Sequence, residues 1–464
     1  MKKCTFSRKR DRISYLPDKI QSRIVSFLPM KDAIRTSILS RQWKHVSTSL
    51  SISNLEFDSH SFKKENFKDV EFRDLVDEML FHHNGSDVHR FILKAKVDDL
   101  FLPPHHVCAY ISYAVDHNVQ EIELVTNEPT GRKRRKMLPP HFFTCKTLTI
   151  LSLSGVEIEC PSSVSFPALK SLTFLEVRFF ESETINKLVL SSTCPVLEDL
   201  CISECDLPGT VFISNPTLRV LKIRDINDLS IEMSITGLRE FECLVLRPLS
   251  FSFENLSSLS SATFGFHEDF DYPLLNLDLE FRAATKLVKC LANVEKLTLE
   301  TGIMEILSTG ENLPGCLPPP CFNVKHLHLG MSAVKVHVQV IKLLLRIYPN
   351  VQTLKISVDN PLADISAFSK TGDMEETWQL KEMSHENVFN CLGTVEFLNF
   401  RGNEYDLDLL KFVVENAKFL KNLIISCLSP STMLEKAGYQ METQPAELLS
   451  WLAKDFPSLL ITVS

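Results

Sequence analysis

The sequence predicts a mixed α/β fold made of three short N-terminal helices, a long series of repeated strands and a C-terminal cap. Three observations lead to this fold class. Apolar residues recur at helical spacing within residues 11–50. A pattern of the form apolar-x-x-apolar-x-apolar then returns at intervals of roughly 20 to 30 residues, as in stacked repeat proteins. The last part of the chain changes to a strand–helix–strand pattern that would close such a stack.

The first element is a helical segment with more apolar surface than it can bury. Leu16-Pro17-Asp18 opens it, because proline and aspartate both suit the first turn of a helix. The apolar stripe that follows consists of Ile20, Ile24, Phe27 and Leu28. Pro29 ends this helix, and two shorter helices follow. A unit of about 40 residues barely folds alone, so we expect part of its surface to dock a partner. A helical cap on the next domain is the alternative.

Four stretches of this segment stand in a specific order: LPD at 16–18, IVSFLP at 24–29, KDA at 31–33 and TSILSR at 36–41. Followed by Trp43, they resemble the F-box motif in its plant form. The resemblance implies binding to a Skp-type adaptor, and through it to a cullin and a ubiquitin-conjugating enzyme. The implied adaptor-binding residues are Leu16, Pro17, Ile20, Ile24, Leu28, Leu39 and Trp43. Gln21 and Ser47 replace a common leucine and tryptophan of the family, and we expect both changes to weaken docking without abolishing it.

Composition and charge are those of an ordinary folded protein of 464 residues, with 44% apolar and 23% charged residues. A formal net charge of −8 gives no support to nucleic-acid binding as the main function. One basic run, Gly131–Lys136, resembles a nuclear-import signal, and a solvated loop explains it equally well. We therefore expect neither a nucleic acid nor a membrane among the partners.

The cysteines indicate a reducing compartment. Thirteen are scattered without a Cys-x-x-Cys pair or histidines at zinc-ligand spacing, so no metal site is predicted. The chain also shows no signal-like N-terminus and no apolar stretch long enough to cross a bilayer. The expected location is intracellular, in the nucleus, the cytoplasm or both.

The repeats are the second element. Their apolar triplets are Val119/Ile122/Leu124, Leu148/Leu151/Leu153, Leu169/Leu172/Phe174, Leu197/Leu200/Ile202, Leu218/Leu221/Ile223, Leu238/Phe241/Cys243, Leu259/Ala262/Phe264, Val294/Leu297/Leu299, Val324/Leu327/Leu329, Val351/Leu354/Ile356, Val395/Leu398/Phe400 and Leu420/Leu423/Ile425. The period matches leucine-rich repeats, in which each unit buries its apolar side only by stacking on its neighbours. An unrelated α/β protein with similar strand starts is the alternative. The usual asparagine or cysteine after the strand is missing, which predicts irregular curvature.

The third element covers residues 386–464. Its landmarks are Cys391-Leu392, Val395-Glu396, Phe400-Arg401-Gly402, Leu409–Val413 and Glu415–Ala417. This order resembles the FBD domain that ends many plant F-box proteins with leucine-rich repeats. The pattern itself predicts a strand, an amphipathic helix, a second strand and a last helix near Ala446–Ala453, which together would cap the solenoid. The prolines that customarily precede the domain are missing between Trp378 and Cys391.

These elements define four predicted regions: an F-box at 10–50, a junction at 51–90, leucine-rich repeats at 91–385 and an FBD domain at 386–464. The junction is rich in phenylalanine and is expected to pack the helices on the first repeat. Two stretches, Ser308–Pro320 and Asn360–Glu376, are predicted to be loops that interrupt the repeats.

The sequence contains no motif that predicts catalysis. No Gly-rich phosphate loop occurs, and the pairs His82-His83 and His105-His106 lack the spacing of a helical metal site. His267 with its acidic neighbours is the remaining cluster, and a loop or packing role explains all three. Cys205 or Cys427 as a nucleophile would need a base that the sequence cannot identify. We predict a non-catalytic protein without a cofactor.

The combined interpretation is the substrate-recognition subunit of a Skp-cullin-F-box ubiquitin ligase, whose repeats bind a protein substrate. A leucine-rich-repeat scaffold without adaptor binding and a small-ligand receptor are the alternatives. Residues that alternate with the buried leucines should form the substrate surface. The predicted substrate-binding residues are Lys222, Arg224, Glu300, His328, Lys355 and Arg401. Their mixed charges favour a polar protein or peptide, although such charges can also merely keep a sheet soluble.

Overall fold

The computed structural model describes residues 16–25, 53–60, 69–83, 85–97, 101–126, 137–159, 161–226, 229–245, 248–254, 256, 258–266, 277–291, 294–310, 312–359, 389–427, 451–452, 454 and 459–463. The chain divides into two compact units. The first unit comprises residues 1–200 and 204–208, and the second comprises residues 201–203 and 209–464.

The strands are short and regularly distributed along the chain. Their bounds are β1 Asn54–Asp58, β2 Arg90–Ala95, β3 Glu121–Thr126, β4 Ile150–Ser154, β5 Glu157–Ile158, β6 Ser171–Leu175, β7 Arg178–Phe179, β8 Asp199–Ser203, β9 Thr210–Ile213, β10 Val220–Arg224, β11 Leu229–Ser234, β12 Glu240–Val245, β13 Pro248–Glu254, β14 Ser261–Phe266, β15 Lys296–Leu299, β16 His326–Ser332, β17 Thr353–Asp359, β18 Thr394–Phe400, β19 Asn422–Cys427 and β20 Leu460–Val463.

Helices occupy part of the connections between strands. They are α1 Asp18–Val25, α2 Asp69–His82, α3 Pro104–Asp116, α4 Ser182–Val189, α5 Leu277–Cys290, α6 Thr301–Ser308, α7 Leu313–Cys316, α8 Lys335–Ile347 and α9 Glu404–Asn416. The fold is thus a mixed α/β fold, as predicted.

The first unit contains a parallel sheet in which β1, β2, β3, β4 and β6 are neighbours in that order. Apolar side chains that alternate along each strand, such as Phe91, Ile122 and Leu151, are buried on one face. The sheet begins at Asn54, inside the segment predicted to be a junction. The repeat motif is already present before β3, since Val88, Phe91 and Leu93 are all fully buried at its spacing.

The second unit continues the same construction. Strands β10, β12, β14, β15, β16, β17, β18, β19 and β20 pair in parallel with their neighbours in that order. Three further strands, β9, β11 and β13, form a small parallel sheet of their own. The large parallel sheet agrees with the predicted leucine-rich-repeat arrangement, because parallel neighbours require a crossover in every repeat.

One triplet was assigned in the wrong register. The prediction placed Val395, Leu398 and Phe400 at the three core positions, but Val395 pairs with Leu354 and Phe397 pairs with Ile356. The core triplet is therefore Leu392/Val395/Phe397, all fully buried, and Leu398 is half-buried on the other face. The segment has apolar residues compatible with both registers, and only pairing with the neighbouring strand distinguishes them.

Four of the strands end in the same way. The residue directly after β4, β6, β8 and β10 has a left-handed backbone, with φ between 51° and 67°. These residues are Gly155, Glu176, Glu204 and Asp225. Three of the four are not glycine, although this conformation is costly for residues with a side chain. The four turns thus share one backbone geometry but no characteristic residue type.

The predicted loops and the C-terminal region are described in part. Ser308 ends α6 and the short helix α7 follows, so the stretch to Pro320 is only partly irregular. The second predicted loop, Asn360–Glu376, lies outside the described residues. Strands β18 and β19 extend the same sheet as β17, and β20 follows them. The role of this region as a cap stays a prediction.

Candidate interaction surfaces

Helix α1 presents two apolar side chains to solvent. Ile20 is 46% exposed and Ile24 is 40% exposed, and their spacing of four residues puts them on one face of the helix. Pro17, which is also exposed, opens the helix and accepts a hydrogen bond from the Ile20 backbone N–H over 2.8 Å. Exposed isoleucines at helical spacing are what a partner-binding helix requires.

The adjacent side of α1 is buried. Gln21 and Val25 are at most 1% exposed, and Gln21 Nε2 donates to the Leu16 backbone oxygen over 2.9 Å. Gln21 is one residue from Ile20 and three from Ile24, so its buried side chain lies beside the exposed face of the helix. The expected weakening of adaptor docking by Gln21 stays a prediction. Four other predicted positions, Leu28, Leu39, Trp43 and Ser47, lie outside the described residues.

A polar row crosses the sheet of the second unit. Each strand contributes the residue that lies between its two buried positions, and strand pairing aligns these residues side by side. The central row consists of Lys222, Glu242, Thr263, Thr298, His328, Lys355 and Glu396. All seven side chains are half-exposed. Three of the predicted substrate-binding residues, Lys222, His328 and Lys355, belong to this row, and Arg224 lies two residues further along β10.

Charges within this face pair with one another. Arg224 Nε lies 2.5 Å from Glu242 Oε1, and Lys355 Nζ lies 3.6 Å from Glu396 Oε2. Each pair joins adjacent strands and remains partly exposed, so it contributes little to stability. In both pairs a carboxylate neutralises a predicted substrate-binding cation, Arg224 or Lys355, which the sequence pattern suggested as a free charge for contact with a partner.

His328 is partly buried and is hydrogen-bonded to the neighbouring strand. Its Nε2 lies 2.7 Å from Ser357 Oγ on the next strand. Burial, followed by the neighbouring Lys355 ammonium, lowers the pKa of His328 below its usual value. The imidazole is therefore uncharged at neutral pH and offers hydrogen bonds to a partner rather than a charge.

Two predicted substrate-binding residues are placed differently. Arg401 lies after the end of β18 and is 7% exposed. Its backbone N–H donates to Asp406 Oδ2 over 2.9 Å, and its Nη2 donates to the backbone carbonyl oxygen of Asp359, also over 2.9 Å. The register error in β18 placed it on the surface, where Glu396 is found. Glu300 follows β15 and is half-buried. It lies against Gly265 of β14, where an added Cβ atom would come within 2.8 Å of the Glu300 Cβ.

A second charged face lies in the first unit and escaped prediction. Arg90 contacts three carboxylates on neighbouring strands. Its guanidinium nitrogens lie 3.3 Å from Glu56 Oε1, 3.4 Å from Glu121 Oε2 and 3.7 Å from Glu123 Oε2. Lys94 lies 2.6 Å from Glu123. The alternation of acids with apolar residues in β3 was the available signal, but it does not reveal that one arginine on β2 serves three of them.

The histidine clusters have structural partners. His83 Nδ1 lies 2.6 Å from the Tyr113 hydroxyl, and the rings of His105 and His106 stand 4.6 Å apart. His267 lies outside the described residues. Within the described ranges, no group of three or more histidine, cysteine, aspartate or glutamate side chains is arranged to hold a metal ion. The described helices also include none with the length and apolar character needed to span a membrane.

Comparison with protein-family models gives three matches. An F-box domain model matches residues 13–54, an FBD model matches residues 386–425, and a model described as FBD-associated F-box protein At5g56370, LRR repeats, matches residues 109–247. The F-box match includes α1 with its exposed isoleucines, and the FBD match includes β18 and the first four residues of β19.

Several Arabidopsis thaliana proteins are similar over most of their length. The F-box/LRR-repeat protein At4g14103 is 30% identical over 369 residues, which cover 74% of this chain and 91% of the relative. The FBD-associated F-box protein At4g10400 is 25% identical over 424 residues, covering 89% and 92% respectively. The F-box/FBD/LRR-repeat protein At1g13780 is 24% identical over 440 residues, covering 90% and 91%. The chain therefore belongs to the plant F-box/FBD/leucine-rich-repeat protein family.

Proposed function

We propose that this protein is the substrate-recognition subunit of a Skp-cullin-F-box ubiquitin ligase. The observation that carries the proposal is the F-box match at residues 13–54 together with the exposed Ile20 and Ile24 within it. In this proposal the exposed face of α1 binds a Skp-type adaptor, which connects the protein to a cullin. The polar face of the second unit, meaning the face of its sheet that carries the polar row, binds a protein substrate.

The proposed mechanism is proximity. Holding a substrate lysine close to a charged ubiquitin-conjugating enzyme turns a bimolecular reaction into an effectively intramolecular one. Covalent chemistry belongs to the partner enzyme, so the chain needs neither a nucleophile nor a cofactor. Burial of Cys427, one of the two thiols considered as nucleophiles, raises its pKa and disfavours the reactive thiolate. The proposed location is the nucleus, the cytoplasm or both.

Replacing the exposed isoleucines tests the adaptor contact. In the double variant Ile20→Ala/Ile24→Ala, we expect adaptor affinity to fall roughly 100-fold or more, since each apolar anchor in a small interface contributes on the order of 2 kcal/mol. The measurement is co-purification with a Skp-type adaptor, followed by titration of the purified components. Thermal unfolding should change little, because both side chains are already exposed.

The matched control is Lys19→Ala/Arg23→Ala, which alters exposed residues on the same helix without removing apolar contact area. This variant should retain adaptor binding within a few-fold. If the wild-type chain fails to bind the adaptor, the proposed ligase role is wrong and a scaffold without adaptor binding takes its place. If the control loses as much affinity as the isoleucine variant, the docking face is assigned incorrectly.

A further inference from the structure

Uncharged side chains occupy the middle strands of the polar row in the second unit, where Thr263, Thr298 and His328 pair in sequence. Across β14, β15, β16 and β17, the side chains on this face include Ser261, Thr263, Thr298, His328 and Ser357. We call these five residues the uncharged patch. All five are half-exposed, and pairing places Thr263 beside Thr298 and Thr298 beside His328.

Ion pairs flank the uncharged patch on both sides. Glu242, the partner of Arg224, pairs in the sheet with Thr263. Lys355, the partner of Glu396, pairs with His328. Lys296 and Glu300 carry opposite charges at the two ends of β15, and Lys296 pairs in the sheet with Ser261 of the uncharged patch. The surroundings therefore combine both signs and provide no field that would attract a polyanion or a polycation.

This distribution of charge resembles that of a protein interface. The centre of an interface is depleted of charged residues and its rim is polar, because removing a charge from water costs far more than removing a hydroxyl. Serine and threonine hydroxyls both donate and accept hydrogen bonds. With a neutral His328, the uncharged patch can satisfy a partner's backbone amides or uncharged polar side chains without desolvating an ion.

We infer that the uncharged patch is the contact centre for an uncharged, unphosphorylated segment of the partner protein. This inference rests on the proposed substrate-binding function and names the chemistry of the segment. Strand spacing of about 4.8 Å gives the patch a width of about 14 Å from β14 to β17, which an extended chain covers with about four to five residues. The segment would be rich in serine, threonine, asparagine, glutamine and small apolar residues.

Binding of labelled peptide pools to the purified full chain tests the inference. One pool contains only serine, threonine, asparagine, glutamine, leucine and valine, and the others add aspartate and glutamate, lysine and arginine, or phosphoserine. Fluorescence anisotropy measures affinity. We expect the uncharged pool to bind at least about tenfold more tightly than each charged pool. Its affinity should change little between about 50 and about 300 mM salt, since no ion pair forms across the interface.

Substitution within the uncharged patch supplies the second readout. Thr298→Lys and Thr263→Glu each place a charge at the contact centre, and each should weaken binding of the uncharged pool about tenfold. The matched control is Thr462→Lys on β20, which puts the same charge on an exposed threonine at the corresponding position of the last strand. This control should bind the pool like the wild type. Circular dichroism and thermal unfolding confirm that each variant is folded.

Three results would overturn the inference: tighter binding of an acidic, basic or phosphorylated pool, a steep salt dependence, or equal affinity of Thr298→Lys and wild type. Absence of binding by every pool would overturn it as well. Adaptor binding is measured on the same preparations. A chain that binds the adaptor but not the uncharged pool contradicts this inference alone, and a chain that binds the pool but not the adaptor contradicts the ligase role.

Discussion

At the scale of single residues, two buried polar side chains perform the same task. The Ser332 N–H donates to His337 Nδ1 over 3.0 Å, and the Arg401 N–H donates to Asp406 Oδ2 over 2.9 Å. Each acceptor is the third residue of the helix that follows a strand, α8 after β16 and α9 after β18. A buried N–H without a partner is costly, so these contacts fix the turn between strand and helix.

His337 makes stability depend on pH. Burial lowers its pKa from 6.5 to about 4. The unfolded chain therefore binds the proton more tightly, and the free energy of unfolding is largest above pH 6.5 and falls as the pH drops toward 4. From this residue alone we expect a loss of roughly 2 kcal/mol between about pH 7 and about pH 5.

Urea unfolding at both pH values measures this loss. The control is His337→Asn, whose side-chain oxygen can accept the same N–H but does not titrate. We expect the variant to lose less stability than the wild type over this pH range, by about the stated amount. Equal pH dependence of the two proteins would mean that His337 is not protonated on unfolding in this range.

At the scale of elements, strands were predicted better than their ends. Strict alternation of buried residues identifies a strand such as β16, where Leu327 and Leu329 are both buried and separated by His328. The same signal fails for β18, because Phe397, Leu398 and Phe400 leave two registers open. It also misses β1, where Leu55 and Phe57 are buried but the motif is separated from the next one by helix α2. Register and the first strand both depend on long-range pairing.

The revised register of β18 predicts unequal effects of two neighbouring substitutions. Phe397 is fully buried, so Phe397→Ala should cost about 3 to 5 kcal/mol through loss of packing and the cavity left behind. Leu398 is half-exposed, so Leu398→Ala should cost about 1 kcal/mol or less. Chemical denaturation of both variants measures the difference. The register predicted from sequence requires the opposite order, in which Leu398→Ala is the more damaging change.

At the scale of the whole molecule, the sequence located the polar face and misread its charges. Alternation was enough to place Lys222, His328 and Lys355 on one side of the sheet. It could not show that Glu396, which is 41 residues from Lys355 along the chain, lies on the next strand and forms an ion pair with Lys355. For Arg401, the register predicted for β18 suggested a surface position, whereas the residue is buried at the turn after the strand. Pairing and burial are properties of the stacked repeats rather than of one repeat.

Adaptor and substrate contacts should be separable by mutation. Ile20 and Ile24 belong to the first unit, whereas the uncharged patch belongs to the second. We therefore expect Ile20→Ala/Ile24→Ala to leave binding of the uncharged peptide pool unchanged, and Thr298→Lys to leave adaptor affinity unchanged. Sites without shared partners are additive within about 0.5 kcal/mol, so the combined variant should show no larger coupling in either binding measurement.

Ubiquitin transfer should depend on both sites at once. In a reconstituted reaction with adaptor, cullin and conjugating enzyme, the substrate is a peptide from the uncharged pool fused to a lysine-bearing carrier protein. We expect each single-site variant to reduce transfer about tenfold or more, because proximity requires both contacts in the same complex. Lys19→Ala/Arg23→Ala and Thr462→Lys should retain transfer close to the wild-type rate. Undiminished transfer by Thr298→Lys, in a preparation that still binds the adaptor, would show that the substrate is held elsewhere on the molecule.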